Sequence, residues 1–88
     1  MLERKLIIQN KLGLHARPAA LFVETASKYN AEVTIEKDGL KVNGKSIMSV
    51  LMLAAERGSI VILQVTGKDE KESLEALSRL LKGKFNEE

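Results

Sequence analysis

The chain holds one histidine and no cysteine among its 88 residues. Nucleophilic chemistry on a nitrogen ring or a thiol therefore narrows to His15. It lies in the run Gly13-Leu14-His15-Ala16-Arg17-Pro18. Pro18 fits the first turn of a helix, where a missing N–H costs nothing. Ala19, Phe22, Val23, Ala26 and Tyr29 follow on one stripe at helical spacing. His15 thus stands immediately before a helix N-terminus. The first turn of that helix has unpaired N–H groups and the positive end of the dipole, and both stabilise an anion. The positive end also disfavours a cationic imidazole, which leaves a ring nitrogen available as a nucleophile. Arg17 adds a planar guanidinium that can grip a phosphoryl group with two parallel hydrogen bonds. The combination suits carrying phosphate on an imidazole nitrogen. The plainer reading is a histidine N-cap beside a solvated arginine.

A second run, Gly39-Leu40-Lys41-Val42-Asn43-Gly44-Lys45-Ser46, satisfies the pattern G-x-x-x-x-G-K-[ST]. A phosphate-binding loop needs a parallel strand before it and a helix after it, with backbone N–H groups wrapping the phosphates. Here Asp38-Gly39 signals a hairpin turn and Leu40-Lys41-Val42 reads as strand. No acidic residue for magnesium falls within residues 60–65. The match is a coincidence of letters.

Ser46 reads as the N-cap of a short helix over residues 47–55. A phosphoserine there would add about −1.5 to −2 charges and suit the helix dipole, so its effect would fall on docking. The helix that follows is apolar almost all round. A helix on one side of a two-layer sandwich needs only one buried stripe, so some of Ile47, Met48, Leu51 and Met52 are expected at the surface. Methionine-rich exposed patches suit adaptable binding; full burial is the equal alternative.

The elements that must position these residues follow from the pattern. Strands are expected over residues 4–9, 31–36, 40–42 and 60–65. Helices are expected over residues 16–29 and 47–55, with a last one carrying Leu74, Leu77, Leu80 and Leu81 inward and ending near Gly83. Asp69 with Glu72 resembles a capping box for that helix. The charges over residues 68–75 and 82–84 read as solvated helix faces. The order β-α-β-β-α-β-α makes an α+β two-layer sandwich with helices on one face of a mainly antiparallel sheet. Periodicity does not set the strand order, and a ferredoxin-like order fits equally well.

Composition sets the outer limits. The length suits one domain over residues 1–88. Aromatics are 3% and the net charge is +2, which gives little support to nucleic-acid binding. One histidine without cysteine cannot build the usual metal sites, so no metal or cofactor is expected. No apolar run reaches a membrane span and no apolar leader follows Met1, so no membrane association and a cytoplasmic location are expected. Nothing demands more than a monomer.

Gly13-Leu14-His15-Ala16-Arg17-Pro18-Ala19, followed by Asn43-Gly44-Lys45-Ser46-Ile47-Met48, resembles the HPr family, the histidine-containing phosphocarriers of the bacterial phosphoenolpyruvate:sugar phosphotransferase system. The similarity spans essentially the whole chain. It implies an open-faced β-sandwich with antiparallel strand order 1-4-2-3. It also implies that enzyme I, charged by phosphoenolpyruvate, phosphorylates His15 at Nδ1, with Ala16 and Arg17 as phosphate-binding positions. Enzyme IIA domains of sugar permeases then receive the phosphoryl group, and the protein is a covalent relay rather than an enzyme. Ala20, Ile47, Met48, Leu51 and Met52 are the implied docking positions.

The run Lys45-Ser46-Ile47-Met48 looks like the low-GC Gram-positive type. There a kinase/phosphorylase modifies the serine, and the product binds a catabolite control protein. Ala20, where this type often has threonine, Glu24 on a face that meets acidic partners, and Ser49, where glycine is frequent, depart from the pattern and bear on partner preference. Two alternatives stand beside this reading: a nitrogen-regulatory phosphocarrier paralogue, and a non-enzymatic α/β binding module using residues 47–52 as its surface.

Overall fold

A computed structural model describes residues 1–83. Seven elements follow in chain order: β1 (Leu2–Ile7), α1 (Ala16–Ala26), β2 (Glu32–Lys37), β3 (Leu40–Asn43), α2 (Ile47–Met52), β4 (Ile60–Thr66) and α3 (Glu70–Lys82). The four strands form one antiparallel sheet in the order β1-β4-β2-β3. The order implied by the resemblance is therefore present, and the ferredoxin-like alternative falls away.

Strand β4 lies inside the sheet, and its side chains alternate. Val61, Leu63 and Val65 are fully buried, whereas Ile60 is 52% exposed. The period of two sends the first set toward the helices and the second to the open face. Val65 stands between Leu2 on one neighbour and Val33 on the other, and Leu63 between Arg4 and Ile35. The helices complete the core. Ala19, Phe22 and Ala26 of α1, Val50 of α2, and Leu74, Leu77 and Leu81 of α3 are buried against the sheet. Phe22 is the largest of these side chains, and its full burial contributes about 2–3 kcal/mol.

Several expected boundaries move. The first strand begins and ends two residues earlier than residues 4–9, because Ile8 leaves the ladder to exchange backbone hydrogen bonds with Ser59 and Gly58 at 2.9 Å each. Helix α1 stops at Ala26 rather than at Tyr29. Lys28 and Tyr29 instead close tighter bonds to the Thr25 and Ala26 carbonyls. Helix α2 stops at Met52, not at Ala55, because Ala54 takes a left-handed conformation with φ 50°. No glycine or proline within residues 47–55 announces that break.

The capping box on α3 does not form. Asp69 makes no cap bond; its carboxylate accepts the backbone N–H groups of Asn30 and Ala31, both at 2.8 Å. Glu70 takes over locally by accepting the Gly67 N–H at 3.0 Å. Asp69 thus ties the start of α3 to the turn between α1 and β2. Lys84, expected at a solvated helix end, and Phe85 lie outside the described residues.

The run Gly39 to Ser46 folds as a hairpin turn, the strand β3 and a second turn, so it wraps no anion-binding cradle. Its Gly44 has a packing reason. A Cβ there would stand 2.5 Å from Val33 Cγ1, and Gly44 N–H bonds to the Val33 carbonyl at 2.8 Å.

Candidate functional site

His15 is the N-cap of α1, with an extended backbone (φ −82°, ψ −171°). Its carbonyl accepts the Ala19 N–H at 2.9 Å and closes the first turn. Its side chain makes no capping bond. Pro18 carries no N–H. The amides of Ala16 and Arg17 are thus the donors of this turn with no intrahelical partner. No acidic residue occupies the first turn, so no carboxylate of that turn offsets the positive end of the dipole. His15 is half-buried, while Ala16 and Arg17 are exposed. The Arg17 guanidinium makes no ion pair or hydrogen bond among the described residues.

The approach to His15 is built from backbone. After β1 the chain turns at Asn10, whose carbonyl accepts the Gly13 N–H at 3.1 Å. Gly13 has φ +69°, and a Cβ on it would lie 2.3 Å from the Ala55 oxygen. Only glycine lets the two segments approach this closely. Leu14 N–H then donates to the Ala55 carbonyl at 2.8 Å, and the Leu14 side chain enters the core. The loop that delivers His15 is therefore stitched to the segment that follows α2.

Ser46 is the N-cap of α2, as expected: its Oγ accepts the Ser49 N–H at 3.3 Å. Lys45 beside it anchors this loop, donating its ammonium to the Tyr29 carbonyl at 2.7 Å. Ser46 lies at the opposite end of α2 from the Ala55 contact. Helix α2 packs on α1, and the apolar surface expected there is present. Met48 is 73% exposed and Met52 66%; Ile47 and Ala20 are exposed as well. Leu51 is different, being half-buried and packed against the core. Leu12, on the His15 loop, is also exposed and was not singled out from the sequence. Its neighbours Lys11 and Gly13 gave it the look of an ordinary loop residue.

A concavity at the other end of α1 is lined by Thr25, Lys28, Tyr29, Arg79 and Leu80 among others, and does not include His15. No helix among the described residues is long and apolar enough to cross a membrane.

Fold and site together define the class: an open-faced sandwich that presents a single histidine at the start of its first helix. A family model described as "PTS HPr component phosphorylation site" matches residues 2–83. The phosphocarrier protein HPr of Xylella fastidiosa is 47% identical over 88 residues, covering 100% of this chain and 99% of its own. The HPr-like protein Crh of Bacillus subtilis is 49% identical over 78 residues, covering 89% of this chain and 92% of its own. The crystal structure of HPr-C-His from Thermoanaerobacter tengcongensis superposes with a TM-score of 0.97 at 51% identity, covering 100% of this chain and 99% of that one. The chain belongs to the HPr family, the phosphocarriers of the phosphotransferase system.

Proposed function

We propose that His15 is the residue that carries the phosphoryl group. In this reading enzyme I, charged by phosphoenolpyruvate, presents its own phosphohistidine. The His15 Nδ1 lone pair attacks phosphorus in line; the new N–P bond forms as the donor's N–P bond breaks, and the donor imidazole leaves. An enzyme IIA domain accepts the group by the same exchange in the onward direction. The Ala16 and Arg17 amides and the Arg17 guanidinium hold the oxygens of the transferring group, so catalysis is by position and charge. A dipole contribution of about 0.3–1 kcal/mol suits a carrier, which must also release its load.

The observation that carries this reading is the first turn of α1: two amides without intrahelical partners, an exposed arginine and no acid, next to a histidine whose side chain is not used as a cap. Phosphoenolpyruvate, magnesium and a matching enzyme I should label the chain with acid-labile, base-stable phosphate. His15→Ala should take none; undiminished labelling of that variant would count against the assignment.

Docking in this reading uses Ala20, Ile47, Met48 and Met52, with the exposed edge of Leu51, as a small apolar surface from which unlike partners dissociate quickly. The working unit is a monomer in the cytoplasm, where the donor is charged. No cofactor, nucleic acid or membrane takes part.

A second reading concerns Ser46, and the similarity to Crh favours it. An ATP-dependent kinase/phosphorylase would place phosphate on the Ser46 Oγ, and the phosphorylated form would bind a catabolite control protein. Acid-stable label on the parent chain, absent from Ser46→Ala, is the expected result.

A further inference from the structure

We propose that Asn10 is a positioning residue for phosphoryl transfer at His15. The inference rests on the His15 reading above. Asn10 is fully buried, although Lys11 and Leu12 beside it are exposed. Its side-chain amide donates to the Gly13 carbonyl, and its own carbonyl accepts the Gly13 N–H at 3.1 Å. The peptide that joins Gly13 to Leu14 is consequently held from both sides. Its oxygen is held by the Asn10 carboxamide, and its N–H by the Ala55 carbonyl at 2.8 Å. That peptide plane is one residue before His15. A rotation of the plane would break both bonds at once, and it would change the direction in which the chain enters α1.

An apolar side chain could fill the same space but would leave the Gly13 carbonyl without this donor. A buried amide costs desolvation, which the hydrogen bond to the Gly13 carbonyl offsets in part. Its structural return is a fixed peptide orientation next to the reacting imidazole. In-line transfer is sensitive to such orientation: displacement of a reacting group by about 1 Å can slow a step by roughly a hundredfold. In this account Asn10 acts through Gly13 and Leu14.

The test compares the unaltered chain with Asn10→Ala and Asn10→Asp, the second keeping shape while losing the amide donor. Turnover with phosphoenolpyruvate-charged enzyme I is measured over a range of carrier concentrations, and the pH titration of the His15 ring is followed by NMR. The expected result is a kcat lower by roughly tenfold or more, a KM for the carrier within twofold, and a displaced His15 titration in variants whose core amides remain protected. In the unaltered chain, the Asn10 side-chain amide protons should exchange slowly and show scalar coupling to the Gly13 carbonyl, a readout that does not depend on either variant folding. Wild-type kcat and an unmoved His15 titration in a folded variant, or absence of that coupling, would overturn the proposal while leaving the carrier reading intact. An unaltered chain that shows the coupling yet takes no phosphate would instead strike the carrier reading, and with it any role of Asn10 in transfer.

Discussion

The Leu14 amide donates to the Ala55 carbonyl at 2.8 Å, and this bond couples the histidine loop to the segment that follows α2. It is available because Gly13, with φ +69°, lets the chain pass where a Cβ would stand 2.3 Å from the same oxygen. In the proposed reading, the surface that would dock a partner and the residue that would receive the phosphate are thus linked through this backbone contact.

Gly13→Ala tests that junction. The added methyl group faces backbone atoms, which cannot yield as a flexible side chain would. The expected loss is about 2–4 kcal/mol, combining left-handed strain with overpacking. Urea denaturation checks it; a variant as stable as the parent would show that the close approach is not required.

Acid should weaken the fold through three carboxylates. Asn30 N–H, followed by Ala31 N–H, holds the Asp69 carboxyl below its usual range against partial desolvation. Arg4 does the same for Glu75, and the Gly67 N–H for Glu70. A lowered folded-state pKa gives stability that is complete above the ordinary carboxylate range and lost as pH falls through the lowered values. Melting temperature should therefore be level from neutrality down to that range and drop below it. Asp69→Asn should melt lower at neutral pH and show a shallower acid decline. An identical acid limb would remove Asp69 from the explanation.

Ser46→Ala removes the side-chain acceptor for the Ser49 N–H. A loss of about 0.5–2 kcal/mol is expected, read from the denaturant midpoint. Ser46→Asp, which can still accept that N–H, should recover most of it.

Met48→Asp probes docking. Met48 is 73% exposed, so folding stability should stay within about 0.5 kcal/mol of the parent. Affinity for enzyme I, measured by titration calorimetry, should fall by roughly tenfold, which is about 1.4 kcal/mol. Equal affinity in a folded variant would place the docking surface elsewhere.

Local features of the sequence were read well where one residue dictates one geometry. Pro18 marked the start of α1, Asp38-Gly39 marked the hairpin, and Ser46 marked the start of α2. The alternation of residues 31–36 gave β2 to within a residue. Features that depend on distant partners were misread or missed. Asp69 looked like a cap for its own helix, but the amides of Asn30 and Ala31 claim its carboxylate. Ala54 adopts φ 50° because the chain must turn to offer Ala55 to Leu14, and an alanine gives no local sign of that. Asn10 was not singled out from the sequence, because its burial is created by the fold. The strand order came from resemblance alone, since alternating side chains state which face is buried but not which strand lies alongside.

The most direct measurement locates the phosphate itself. The unaltered chain is incubated with phosphoenolpyruvate, magnesium and enzyme I, kept at alkaline pH, and fragmented for mass spectrometry. A single phosphoryl group on the imidazole of His15 is the predicted result. Phosphate on any other residue, or none while enzyme I is visibly phosphorylated, would contradict the account.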